Sequence, residues 1–224
     1  MMKDGNSFIR CRETAGVAKK IAAGNRLGSI ASMVYDRRME NTFEITWVGG
    51  DDALASRERH DVRGVIVHRI EVSQEDPTYG DNPGEVARFF RDHPIGRRAT
   101  GGAMPYPILI DDAGIIFQTA PLSLITPHAV SHNPSTVGVA CIGDFRTRSP
   151  SAAQTTALIS VCASLLAQFD LPPEALHGHD ELTGASHDPE KECPGKTLSM
   201  VALRRDVSEF IDRGGVPMTF NWKR

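Results

Sequence analysis

Two short and almost wholly apolar runs, Val65-Ile66-Val67-His68 and Val137-Gly138-Val139-Ala140-Cys141-Ile142, limit the fold of this chain more than any other feature. Runs of four to six apolar residues bounded by turn signals read as buried strands. Helical patterns fall between and after them. Asn82-Pro83 followed by Glu85 supplies an N-cap, a proline at the first helical position and an acid in the first turn, so a helix is predicted from there to about His93-Pro94. Ser149-Pro150-Ser151 opens another, in which Leu158, Val161, Cys162, Leu165, Leu166 and Phe169 recur at helical spacing, the clearest amphipathic pattern in the chain. A third is predicted over roughly Thr197 to Arg213, with Met200, Leu203, Val207, Phe210 and Ile211 on one face and Gly214-Gly215 at its end. Ile108-Leu109-Ile110 and Ile115-Ile116-Phe117 flank Asp111-Asp112-Ala113-Gly114 as a hairpin. Strands interleaved with helices predict an α/β domain, a central mixed β-sheet flanked by α-helices.

Residues 1–60 are read as an N-terminal extension and 61–224 as the main domain. Within the extension, Val17, Ile21 and Ala22 form a weak helical stripe, Phe43 to Val48 alternates like a short strand, and Gly49-Gly50-Asp51-Asp52 reads as a loop. At 224 residues the chain is long enough to bury a core without staples. Its net charge of −3 leaves no basic excess for a nucleic-acid partner. No apolar run approaches the ~18–20 residues of a membrane span. Residues 1–25 carry charges at Lys3, Asp4, Arg10, Arg12, Glu13, Lys19 and Lys20 without an apolar segment between them, so no signal peptide is expected. The four cysteines, Cys11, Cys141, Cys162 and Cys193, form no C-x-x-C pair and are too sparse for a disulfide scaffold.

The histidines carry the chemical signal. His68 ends a strand, and His128 and His132 precede another. His177, His179 and His187 cluster in a polar stretch that runs through His177-Gly178-His179-Asp180-Glu181 to Lys191-Glu192-Cys193-Pro194-Gly195. Histidine, carboxylate and cysteine are the side chains that hold a borderline-soft divalent metal, and a catalytic zinc needs about three of them plus an open position. Taken singly, His68 is better explained as a hydrogen-bonded core histidine, and Cys193 as a small buried hydrophobe. The combination is the stronger indication, since Cys193 lies between charged residues and Pro-Gly.

The order Val65-Ile66-Val67-His68, Pro105-Tyr106-Pro107-Ile108-Leu109-Ile110, Pro127-His128-Ala129 with Asn133 and Val137-Gly138-Val139, Gly178-His179-Asp180, and Lys191-Glu192-Cys193-Pro194-Gly195 resembles the zinc-dependent N-acetylmuramoyl-L-alanine amidases. This is the type shared by phage endolysins and peptidoglycan recognition proteins, and the similarity spans roughly residues 62 to 205. The resemblance implies a mixed sheet flanked by helices with Zn2+ in a surface groove. It implies hydrolysis of the amide between N-acetylmuramic acid and L-alanine in peptidoglycan, with a zinc-bound water as nucleophile. Position by position, the metal ligands would be His68, His179 and Cys193, with Tyr106 positioning the water and Lys191 stabilising the oxyanion. His128 and Asn133 would bind substrate from the groove wall. These roles suit the chemistry: zinc polarises the carbonyl and activates water, and a lysine near the developing alkoxide acts only in the transition state.

The pattern departs from the family in three places. Extra residues between His179 and Cys193 leave Asp188 as a rival third ligand. The insert at 72–100 is long, and Pro107 follows Tyr106 where relatives often carry a polar or aromatic residue. A non-catalytic peptidoglycan-binding module of the same fold, and an amidase acting on soluble muropeptides, are the alternative readings. Without a signal peptide, synthesis in the cytoplasm and action at the cell wall are expected, by release through a permeabilised membrane or by dedicated secretion.

Overall fold

A computed structural model describes residues 42–44, 54–182, 192–215 and 217–223. The expected stripe at Val17 to Ala22, the later part of the expected Phe43–Val48 strand, the loop at 49–52, and His187, Asp188 and Lys191 lie outside them. The elements run β1 (Thr42–Glu44), β2 (Gly64–Ile70), α1 (Pro83–Asp92), α2 (Pro94–Thr100), β3 (Ile108–Ile110), β4 (Ile116–Gln118), β5 (Thr136–Ile142), α3 (Ala152–Phe169), β6 (Leu176–Gly178) and α4 (Met200–Asp212). One six-stranded sheet has the order β1-β4-β3-β5-β2-β6. Only the β3–β4 hairpin pair is antiparallel, so the sheet is mixed.

Strand alternation sorts the apolar residues onto two layers. Val65 and Val67 of β2, Ile108 and Ile110 of β3, and Val137, Val139 and Cys141 of β5 pack with Val161, Leu165, Leu203 and Val207 of α3 and α4. Leu109, Ala140 and Ile142 face the other way, against Val86, Phe89 and Phe90 of α1. Burial on both faces is why β2 and β5 read as unbroken apolar runs. It also assigns His68, next in alternation after Val67, to the layer away from α3.

Caps place the helices where the sequence expects them, with two differences. Asn82 accepts from the Glu85 N–H at 3.1 Å and Ser151 from the Gln154 N–H at 3.0 Å. His93-Pro94 is not the end of helical structure: the His93 ring accepts from the Ile95 N–H and opens α2 with proline at its first position. α4 begins at Met200 rather than Thr197, because the Thr197 N–H is held by the Phe145 carbonyl and Ser199 takes the cap.

α3 differs most from its sequence pattern. It is buried well beyond one stripe, including Gln154, Ser160 and Ser164. The Gln154 amide donates to the carbonyls of Ile110 and Ile142 at the sheet, at 3.1 Å each. On another side the C-terminal segment lies along the helix: the Met218 N–H donates to Ser164 Oγ at 2.8 Å, and Gln168 exchanges two 3.0 Å bonds with the backbone of Phe220. By length and composition alone this 18-residue helix is apolar enough to cross a membrane, contrary to the reading that no run approaches that length. Its burial between sheet and C-terminal segment accounts for that composition.

Of the residues before 61, the described ones, 42–44 and 54–60, contact this sheet and its loops. β1 pairs with β4, Ser56 forms a β-bridge with Leu124, and Arg57 is 6% exposed. The Arg57 guanidinium donates to the carbonyls of Leu122 (3.1 Å), Leu124 (3.2 Å), Asn133 (2.9 Å) and Thr136. Burial lowers its pKa to about 10, which leaves it charged at neutral pH.

Candidate metal centre

His68 lies toward the carboxyl end of β2 and is 1% exposed. β6 pairs with β2 over Val65 to Val67, so His179, the residue after β6, arrives beside it with ring centroids 4.7 Å apart. Cys193 is brought in from a distant segment by three contacts. Its carbonyl accepts from the Asp180 N–H at 2.8 Å, its Sγ accepts from the Arg69 N–H at 3.4 Å, and Arg69 Nε donates to the neighbouring Glu192 carbonyl at 2.8 Å. Gly195 closes the turn that follows. Its φ is +105°, and a Cβ there would stand 2.6 Å from the Phe145 backbone, so both conformation and space call for glycine.

His68, His179 and Cys193 thus converge, each offering a ligand atom within 4.8 Å of the others. The donor set suits zinc. Bonds of 2.0–2.3 Å in tetrahedral geometry separate two ligand atoms by about 3.3–3.8 Å, and His68 Nδ1 lies 3.6 Å from Cys193 Sγ. Electrostatics agree. Burial, then the neighbouring histidines, hold His68 well below its usual pKa, and burial lowers that of His179, so both present neutral rings with a lone pair. Burial pushes the Cys193 thiol up to about 12, against a smaller opposing effect of Arg69. A thiolate in this site therefore needs a cation beside it, which a divalent metal supplies.

Tyr106 stands at the edge of the cluster, its ring 4.9 Å from that of His68 and tilted 45°. Its carbonyl accepts from the Thr119 hydroxyl at 2.5 Å, which fixes the backbone despite the following Pro107. Burial, and secondarily Cys193, raises the Tyr106 pKa, so the side chain remains a phenol able to donate or accept. His128 lies behind His68 and is 6% exposed. Its Nδ1 is 3.1 Å from His68 Nε2, and its Nε2 is 3.2 Å from the Thr136 carbonyl. Asn133 Oδ1 accepts from the backbone N–H groups of His128 and Ala129 at 3.0 and 2.6 Å. The sequence reading puts these two residues on the groove wall; the structure engages both His128 ring nitrogens and the Asn133 side-chain oxygen with protein partners.

Three supporting residues escape the sequence reading. Arg57 lies in the presumed extension, Arg69 is one charge at the end of an apolar strand, and Thr136 opens β5 one residue before the run that the sequence marks as a strand. Gly138 does carry a signal in retrospect: a glycine inside a buried strand marks close approach. Here the approaching group is the His128 ring, 2.8 Å from where a Cβ would stand.

Fold and site together define an α/β domain that gathers two histidines and a cysteine beside a parallel strand pair, an arrangement able to hold a metal ion. A model of the N-acetylmuramoyl-L-alanine amidase family matches residues 58–196, more than half of the chain, and the protein belongs to that family. It therefore falls among proteins that cleave or bind peptidoglycan. No curated protein matches its sequence significantly. Among solved structures, it is similar to the endolysin N-acetylmuramoyl-L-alanine amidase LysCS from Clostridium intestinale, with a TM-score of 0.57 at 17% identity, covering 74% of this chain and 95% of that one. It is also similar to the Ph2119 endolysin from a Thermus scotoductus bacteriophage (0.51, 23%, covering 69% and 89%) and to the Drosophila peptidoglycan recognition protein SA (0.52, 20%, covering 73% and 85%). At these identities the likeness is one of fold.

Proposed function

We propose that this protein is a zinc-dependent amidase that hydrolyses the bond between N-acetylmuramic acid and L-alanine in peptidoglycan or its soluble fragments. The observation that carries the reading is the convergence of His68, His179 and Cys193, with a Nδ1–Sγ separation of 3.6 Å that matches an edge of a zinc tetrahedron. Two structures of this fold, a Drosophila PGRP-LB variant and the complex of the peptidoglycan recognition proteins LCa and LCx, carry tracheal cytotoxin, which supports a muropeptide-sized ligand. The site of action is accordingly the cell wall.

The residues divide the work as follows. His68, His179 and Cys193 would hold the metal, which when bound supplies Lewis acidity toward the amide carbonyl and lowers the pKa of a water to about 7. Tyr106, a phenol at neutral pH and 4.9 Å from the His68 ring, orients the attacking water through its hydroxyl. Lys191, two residues before Cys193 in sequence and outside the described residues, takes the role its place in the family motif implies: a lysine cation that stabilises the oxyanion charge present only in the transition state.

The test combines metal content with activity on one preparation. Zinc per chain is quantified, and the protein is incubated with purified peptidoglycan with and without a chelator while freed L-alanine amino termini are measured. One zinc per chain with chelator-sensitive release is expected. Zinc without release would make the protein a binding module, and failure to take up added zinc would remove the ligand assignment.

A further inference from the structure

The hydrogen bonds behind the metal centre determine where the protons sit on two histidines. The Thr136 carbonyl oxygen can only accept. The Thr136 hydroxyl, 3.3 Å from His128 Nε2, has its one proton directed at the His132 carbonyl 2.8 Å away, so toward His128 it too is an acceptor. His128 Nε2 therefore faces two acceptors and must carry its proton. The ring is 6% exposed, and the Thr136 carbonyl it faces also accepts from the Arg57 guanidinium, so a dry surrounding that already holds one cation keeps the ring neutral. Its Nδ1 is then a bare lone pair, aimed at His68 Nε2 at 3.1 Å. That contact is a hydrogen bond only if His68 carries its proton on Nε2. His68, 1% exposed and faced by the rings of His128 and His179, holds that one proton, so its remaining nitrogen, Nδ1, is left unprotonated on the side where Cys193 Sγ stands at 3.6 Å.

We infer that His128 is a positioning residue that fixes His68 as its Nε2–H tautomer and thereby makes Nδ1 the metal-binding atom. The order runs from the Thr136 carbonyl and hydroxyl to His128, from His128 to His68, and from His68 Nδ1 to the metal. Gly138 leaves room for the His128 ring against β5, and Asn133 Oδ1 holds the backbone N–H of His128. The metal-binding half of this inference rests on the proposed zinc site; the tautomers do not.

The experiment has two arms. In the first, 15N-histidine-labelled protein, freed of metal and held at pH 7.5, is observed by long-range 1H–15N correlation, which distinguishes the two neutral tautomers. Both rings are expected as Nε2–H; a His68 ring protonated at Nδ1 overturns the inference. In the second, zinc affinity is measured by competition with a chromophoric chelator for the native protein, His128→Asn and His128→Phe. Asparagine sets Oδ1 where Nδ1 stands and keeps the acceptor, whereas phenylalanine keeps the ring and loses it. Affinity should fall about 10–100-fold in His128→Phe, as for other groups that orient a metal ligand, and stay within about threefold of native in His128→Asn. Equal losses in both variants would reduce His128 to a packing residue and overturn the inference. Native protein with the expected tautomers but no zinc uptake would defeat the zinc reading and leave the proton order standing.

Discussion

Alanine at position 138 tests the packing that brings His128 to His68. An added Cβ would stand 2.8 Å from His128 Cγ and 2.9 Å from its Nδ1, where ordinary van der Waals contact begins at 3.4 Å. To restore that spacing the ring must withdraw by about 0.6 Å, and such overpacking costs about 1–3 kcal/mol. The ring has little freedom to withdraw. Its Nε2 is held at 3.2 Å by the Thr136 carbonyl and its backbone N–H at 3.0 Å by Asn133. Movement therefore lengthens the 3.1 Å contact with His68, or displaces the central strand β5. Urea unfolding of metal-free Gly138→Ala is the assay: with a slope of about 2 kcal/mol per molar, a 2 kcal/mol loss lowers the midpoint by about 1 M. Zinc affinity should fall with it, by about tenfold or more, as for a disturbed outer-shell histidine. A midpoint and an affinity both unchanged would refute the claim that the ring occupies that space. Gly84→Ala is the matched control. Gly84 is exposed in α1, its new Cβ meets only Asn82 Oδ1 at 3.4 Å, and a gain of up to about 0.5–1 kcal/mol is expected.

Cys193→Ser should lower zinc affinity by more than the 10–100-fold typical of outer-shell changes, measured by chelator competition; native affinity in that variant would transfer the ligand role to Asp188. Arg57→Met strips donors from the carbonyls of Leu122, Leu124, Asn133 and Thr136 at once, and a loss of about 3 kcal/mol or more is expected, a fall of roughly 6–12 °C in Tm by calorimetry. The metal-free protein should lose stability on acidification below pH 6.5. His68 and His128 have folded pKa values depressed by burial, to about 3 for His128, so below 6.5 the unfolded chain takes up protons that the folded one refuses. At pH 5 the His128 ring alone costs about 2 kcal/mol, His68 adds to it in the same direction, and urea midpoints equal at pH 7.5 and 5 would refute the burial of neutral rings.

What the sequence reveals is what local pattern and motif order can encode. The apolar strand runs at Val65 to His68 and Val137 to Ile142, the caps at Asn82 and Ser151, and the hairpin around Asp111 to Gly114 are all short-range, and the structure forms them nearly where they are expected. β6 is three residues long and has no pattern of its own; it exists because Val65 to Val67 offer a free sheet edge. α2 is hidden by Pro94, which ends one helix and begins another. The largely buried α3 looks amphipathic because small and polar residues, Ser160, Ser164 and Gln168, occupy the side that the C-terminal segment covers, a contact more than fifty residues away in sequence. The converging ligands are legible as motifs, since each is local. Arg57, Arg69 and Thr136 act through backbone groups of distant segments, and no residue-type pattern records such a contact.

That division also describes how the site is built. His68 sits on a central strand whose neighbours are buried on both faces, and its orientation is determined by His128 and, through it, by a carbonyl of β5. Cys193 sits outside regular structure and reaches the strand through Arg69, whose N–H meets its sulfur while its side chain holds the Glu192 carbonyl and the buried Asp144 carboxylate at 3.5 Å. One ligand is thus preset by the sheet and another is held by side-chain contacts that a cation between them would reinforce. Metal binding should stabilise these two parts unequally: the segment around Cys193 gains the most protection from hydrogen exchange, and β2, already held by β5 and β6, gains little. Equal gains in both would mean that the metal orders the whole domain, and that the sheet alone does not preset His68.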